Sequence, residues 1–193
     1  MIWNSGYYWG IPARILHWLA AFVLVIVYLH GSIVLDDWDE HGGSGRGALL
    51  WHAAAGATLG AVMLLRLLWR GVNKTPMLPA ATSDWERRAA HLTHVSLYAL
   101  TFVAVLTGWL LADGLKPPVE VKLLWSIPVP VSGLHLGWSA RKLIKGLHEL
   151  SAQLVMALAA AHAVAALWHH FIKRDSVMRR MLLRGRQRNR VGD

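Results

Sequence analysis

The chain contains no cysteine. That absence excludes disulfides, thiolate-bound iron–sulfur clusters, thiolate-ligated haem and haem attached covalently through Cys-x-x-Cys-His. Charge is scarce as well: 16% of residues are Asp, Glu, Lys or Arg, where a soluble domain carries roughly 25%. So little polar surface does not keep 193 residues dissolved. Acidic residues are the scarcer sign, 11 against 20 basic, for a net charge of +9 and a pI near 10.5. A basic excess suits nucleic acid only when a soluble face presents it, so no nucleic-acid partner is expected. Hydrolytic machinery is missing too, since His148-Glu149 lacks the second histidine of a zinc-protease helix.

What is abundant is apolar: 55% of the chain, with a mean hydropathy of +0.37. Four stretches, near 12–35, 48–70, 89–112 and 147–171, are long enough for the ~20 helical residues a bilayer core requires. The fold expected is all-α, an integral membrane four-helix bundle. The first stretch reads as a retained helix, because its apolar run passes Val27 and reaches Leu35, beyond a signal-peptide core. Basic residues set the orientation. Eight of the 20 lie between Lys173 and Arg190, and Arg70, Lys74, Arg87 and Arg88 flank the 71–88 loop. The loop after the first helix sets Arg46 against Asp36, Asp37, Asp39 and Glu40. Both termini are therefore expected in the cytoplasm, although Lys116, Lys122, Arg141, Lys142 and Lys145 lie on the opposite side. Residues 1–175 form the membrane domain and 176–193 a basic tail suited to anionic lipid. Of the eleven tryptophans, Trp9, Trp51, Trp69, Trp85, Trp109 and Trp168 fall near helix ends, either as headgroup anchors or as ordinary core aromatics. Prolines 117, 118, 128 and 130 begin the long outer loop as irregular chain, and residues 139–146 suggest a short surface helix before the fourth span.

Eleven histidines are unusual in so apolar a chain, and ionisable groups at membrane depth usually mark function. His148 and His162 are fourteen residues apart, which advances a helix ~21 Å and rotates it ~320° net, so both share one face. Matched by depth, His162 pairs with His17 on the inner side and His148 with His52 on the outer. Neutral imidazole is a good axial ligand for haem iron, and two such ligands give a six-coordinate, electron-transferring haem. A porphyrin needs a flat slot. Small residues accompany each histidine: Gly56 and Gly60 after His52, Ala13, Ala20 and Ala21 around His17, and Ser151, Ala152, Val155 and Ala159 along the fourth helix. The same pattern, Gly-x-x-x-Gly above all, also serves helix–helix packing. Arg66 projects from the face of His52, ~21 Å deeper; it is a candidate for a haem propionate, with Arg14 as a second, or it snorkels to the headgroups. His30, rotated ~220° from His17, points to a different face and is a poorer outer ligand than His52. His91 and His94 open the third helix as candidates for a quinone headgroup, proton uptake or ligation. His169 and His170 are interfacial, and His41 and His135 are loop residues.

With those residues in place, the chain resembles the bacterial cytochrome b561 family of small di-haem membrane proteins. The matching segments are Arg14-Ile15-Leu16-His17-Trp18, the run from Arg66 to Arg70, His91-Leu92-Thr93-His94 with Leu97-Tyr98, and Gly108-Trp109. The most specific block is His148-Glu149, His162, the run His169 to Asp175, and Arg179-Arg180-Met181-Leu182. Together they cover roughly 11–183, and their order and spacing carry more than any single piece. The resemblance implies two non-covalent b haems, the inner on His17 and His162 and the outer on His52 and His148. It also implies an inner-membrane location and electron transfer between a periplasmic partner and membrane quinone, with superoxide oxidation by ubiquinone among the family's activities. The acidic stretch 36–40 and the run Gly42-Gly43-Ser44-Gly45 depart from the family, which puts the external redox partner most in doubt. Beside this reading stand a haem-bearing anchor subunit of a larger dehydrogenase or hydrogenase, a histidine-based metal or proton transporter, and a purely structural anchor.

Overall fold

The computed structural model describes residues 1–35, 46–79, 82–113, 120–130, 132–134 and 136–182. Four helices dominate it: α1 (Ile11–His30), α2 (Arg46–Val72), α3 (Asp84–Asp113) and α4 (Trp138–Phe171). Each is long and apolar enough to cross a membrane. Pro12 opens α1, where its missing N–H leaves no bond unmade. A π-helical turn, Gly31–Leu35, carries α1 on to the limit expected from its apolar run. α3 starts at Asp84, five residues earlier than the apolar run suggests, where the Glu86 side chain reaches back to Ser83. The Glu86 carboxylate accepts from the Ser83 N–H at 2.9 Å and from its hydroxyl at 2.8 Å. α4 is longer than expected too: residues 139–146 are not a separate surface helix but its first turns. That stretch holds no proline, and Gly146 stays within the helix, so the helical hydrogen bonds run through it.

α3 packs along α4 most extensively, α1 along α2 next, and α2 along α3 less. α1 meets α4 only briefly, and α2 and α4 do not come within backbone contact. The four helices thus form an open ring with a gap between the α1–α2 pair and α4. The packed core, Ala20, Leu59, Val62 and Met63 with Leu16, Val23, Leu24, Tyr98 and Phe102 around it, belongs to α1, α2 and α3. Large apolar side chains such as Phe22, Leu68, Leu92, Leu143 and Val164 point outward. In water that surface would be unfavourable; in lipid it is the expected solvent contact.

The N-terminal residues and residues 176–182 lie at one end of the bundle, tied together by hydrogen bonds. Asn4 donates through Nδ2 to the Lys74 carbonyl at 3.0 Å, and Met77 donates to the Gly6 carbonyl at 2.8 Å. Arg14 Nη1 reaches the Leu182 carbonyl at 2.9 Å, Trp18 Nε1 the Met181 carbonyl at 2.8 Å, and Arg180 Nη1 the Met77 carbonyl at 2.6 Å. Lys173 pairs with Glu86. Residues 176–182 of the expected tail are therefore folded against the bundle, while 183–193 lie outside the described residues. At the far end the loop is not wholly irregular. Strands β1 (Lys122–Leu123) and β2 (Ile127–Pro128) pair antiparallel, Lys122 opposite Pro128 and Leu123 opposite Ile127. Their turn holds Leu124 and Trp125 at φ of 50° and 58°, a left-handed conformation unfavourable for bulky side chains. It is pinned by the Leu124 N–H donating to the Thr58 hydroxyl of α2 at 3.2 Å.

One close approach fixes the α2–α3 contact: a Cβ on Gly60 would lie 2.7 Å from Val105 Cγ1. Gly60→Ala should therefore destabilise the bundle by about 1–3 kcal/mol through overpacking. Thermal unfolding in detergent would register the loss, and pairing it with Val105→Ala should recover most of it.

Candidate functional site

The gap left by the ring of helices is lined by histidines at two levels. Toward the termini end, His17 of α1 faces His162 of α4 with ring centroids 6.3 Å apart and planes at 79°. Toward the far end, His52 of α2 faces His148 of α4 at 6.0 Å and 82°. Two imidazole nitrogens bound to one metal at about 2.0–2.1 Å each would hold their ring centroids about 6 Å apart. Both pairs have that span, and the members of each come from helices that do not pack closely on one another. Among the described residues no three His, Cys, Asp or Glu side chains gather as a site for a bare metal ion. Two nitrogens are too few for tetrahedral zinc, but they complete an iron whose other four positions a macrocycle fills.

Between the two levels sits Val155, seven residues from His148 and seven from His162, so on the same face and ~10.5 Å along the helix from each. At 1% exposure it is the one essentially fully buried large side chain among the described residues. A bundle of this length normally buries many. The interior is filled at its midpoint and along α1–α3, and lightly elsewhere.

The far-side pair is shaped by two glycines. A Cβ on Gly108 would lie 2.9 Å from His148 Cε1, and one on Gly31 would lie 3.0 Å from His52 Cε1. His148 Nδ1 lies 2.9 Å from the Ala104 carbonyl and 3.3 Å from Thr107 Oγ1. Donation to that carbonyl places the proton on Nδ1 and leaves the Nε2 lone pair free, as in metal-ligating histidines generally. Thr107 itself donates to the Val103 carbonyl at 2.6 Å, so its hydroxyl does not compete for that role. His30, which rotation along α1 sets on a different face from His17, uses that face to meet α2. Its ring lies 4.5 Å from Trp51 and 5.9 Å from His52, at 28° to each.

The termini-side pair has other company. His94 of α3 lies 5.2 Å from His162, so α1, α3 and α4 each contribute an imidazole. Arg66 of α2 stands near them with Cζ 5.3 Å over the Tyr98 ring, a cation–π contact. The Nδ1 of His17 is buried without a hydrogen bond, as is Arg14 Nε. Arg14 spends its Nη1 on the Leu182 carbonyl, so the second arginine candidate lies at the edge of the gap.

Of the small residues, Gly56 has nothing within 4 Å of a would-be Cβ, leaving open space one turn from His52. Gly60 instead admits Val105, and Ala20 belongs to the packed core, so both serve helix contacts. His91 is exposed, and His169 is paired through Nδ1 with Asp175 Oδ2 at 2.5 Å. His170 is half-buried against Phe171, its Nδ1 without a partner. His41 and His135 lie outside the described residues. Three contributors carried no sequence signal strong enough to single them out: Ala104, whose carbonyl acts rather than its side chain, Thr107, and Gly31. Adding one methyl against the His148 ring, Gly108→Ala, should displace that ring and lower the bound pigment, read by absorbance against protein.

Comparison with known proteins gives the site its context. The sequence profile of the family described as "Prokaryotic cytochrome b561" matches residues 8–184. The chain is 29% identical over 185 residues to "Cytochrome b561 homolog 2" of Escherichia coli (strain K12), covering 93% of each chain. It is 32% identical over 180 residues to "Cytochrome b561 homolog 1" of the same organism, covering 88% of this chain and 93% of that one.

Proposed function

We propose a role that starts from one premise: the chain belongs to the prokaryotic cytochrome b561 family. It is accordingly a multi-pass cytochrome of the bacterial inner membrane, and haem-based electron transfer is its activity. Beyond that premise, our reading is a di-haem b-type cytochrome with both termini in the cytoplasm. His17 and His162 would hold the inner haem, and His52 and His148 the outer. The observation that carries this reading is the pair of near-perpendicular imidazole couples, 6.3 and 6.0 Å apart, at two levels of one gap. Bound haem b supplies one-electron chemistry at an iron that alternates between ferric and ferrous.

The chain's own residues bind, orient and insulate. Neutral imidazoles donate lone pairs, and the Ala104 carbonyl holds the Nδ1 proton of His148 away from the ligating side. Arg66, and Arg14 at the edge of the gap, supply positive charge for propionates of the inner haem. Gly56 leaves room for a flat ring beside His52. Val155 fills the space between the two levels and keeps water from bridging them. Lipid-facing leucines and valines exclude solvent from the outside.

The partners we infer are membrane quinone, with ubiquinone as substrate, and a periplasmic one-electron partner, with superoxide as candidate. Support comes from the family resemblance, and for the quinone from His94, half-buried beside His162, with His91 exposed one turn earlier. A superoxide:ubiquinone oxidoreductase would draw on both.

Haem counting tests the ligand set. The purified chain should give a reduced-minus-oxidised spectrum with two b haems. His148→Ala should keep only the inner haem and His162→Ala only the outer, halving the pigment in each case. Two haems retained in either variant would refute the assignment. Ring planes at 79° and 82° further predict a highly anisotropic low-spin signal from both ferric haems in electron paramagnetic resonance, where parallel planes would give a rhombic one.

A further inference from the structure

His148 and His52 form one pair but are held in different ways. The His148 ring is fixed by donation from Nδ1 to the Ala104 carbonyl at 2.9 Å, with Thr107 Oγ1 at 3.3 Å. A hydrogen bond on the nitrogen away from the metal is how proteins usually set a ligand's ring plane. His52 lacks one. Its Nδ1 meets no acceptor with full hydrogen-bond geometry, and the Val27 backbone offers the ring only a weaker contact.

Rings and a glycine surround His52 instead. Gly31 lies so close that a Cβ there would be 3.0 Å from His52 Cε1. His30, the residue before it, lies 5.9 Å away at 28°. His30 also packs on Trp51, at 4.5 Å and 28°, and Trp51 meets Trp125 of the hairpin at 6.2 Å and 49°. These separations fall in the range where aromatic rings attract with a preferred geometry. The His30 Nδ1 is itself buried without a hydrogen bond, so packing and not polarity places this side chain. Turning His52 toward the plane of His148 would change its 28° inclination to His30 and disturb that contact.

We propose that His30, backed by Trp51, is a positioning residue for the outer site: by stacking on His52 it holds that ring across the plane of His148, doing for His52 what the Ala104 carbonyl does for His148. The inference rests on the reading of His52 and His148 as the outer axial pair. Imidazole planes held crosswise keep two iron d orbitals nearly equal in energy, which gives the highly anisotropic ferric signal. Rotation toward parallel splits them and moves the signal toward a rhombic one.

The test uses the full-length holoprotein in detergent, with haem counted in every sample. His148→Ala, which leaves the inner haem alone, identifies the outer contribution by difference. In His30→Ala the outer low-field feature should move toward a rhombic spectrum and the outer midpoint potential should shift, with the inner haem unchanged. His30→Phe keeps a ring but no nitrogen, and should restore both. Trp51→Leu loosens His30 from behind and should move the same feature less; it also serves if His30→Ala fails to accumulate. An outer signal unchanged in His30→Ala and Trp51→Leu would overturn the proposal and leave the Val27 carbonyl to set the plane. Loss of the outer haem in both His30→Ala and His30→Phe would overturn it differently, by making His30 a ligand. Failure of the premise looks different again: His52→Ala would then retain two haems.

Discussion

The arrangement depends on how α4 is held. It packs on α3 more extensively than any other two helices pack, and its histidines lie along that seam facing partners on α1 and α2, helices with which α4 makes little or no backbone contact. Were α4 packed tightly on α1 as well, His17 and His162 would be pressed into a core with no room between ring systems. Were α3 and α4 loosely joined, nothing would keep His148 and His162 at fixed distances from partners on two other helices. Gly108 shows how closely the contact is cut, since the His148 ring occupies the place a side chain would take. An open gap beside a rigid seam is the mechanical basis of the whole interior.

Closure is supplied at the ends. At the termini end the turn after α4 runs back over α1, and Arg14 and Trp18 bind the carbonyls of Leu182 and Met181. This strap joins the two helices that scarcely touch inside the bundle. At the far end the β1–β2 hairpin leans on α2 through Thr58 and reaches Trp51 with the indole of Trp125. Its turn carries unfavourable left-handed backbone at Leu124 and Trp125, which such a loop tolerates where tertiary contacts hold it.

Much of this was legible because hydrocarbon imposes simple rules. Apolar length located the four spans, and helical period together with depth set His17 beside His162 and His52 beside His148, where they lie. Arg66, a candidate for an inner propionate or for snorkelling, stands over Tyr98, a partner that composition does not suggest. Helix ends were less legible. The Ser83–Glu86 contact that opens α3 lies upstream of the apolar run, and the polar first turns of α4 resemble a separate surface helix. The His30 contact escaped because rotation along α1 gives a direction without saying which helix waits there. A backbone carbonyl such as Ala104 leaves no trace in a sequence at all.

Val155 marks more than a filled midpoint. The histidines it separates are fourteen residues apart on a transmembrane helix, ~21 Å along its axis, where the hydrocarbon layer is about 30 Å thick. One elementary charge crossing the whole membrane exchanges about 2.3 kcal/mol with each 100 mV of potential. A charge moved between the two levels traverses roughly two-thirds of that drop and exchanges about 1.5 kcal/mol, a factor of about ten in its distribution between them. With a haem at each level, as proposed, the share of an electron between the two would follow the membrane potential, because the two turns on either side of Val155 hold the levels that far apart along α4.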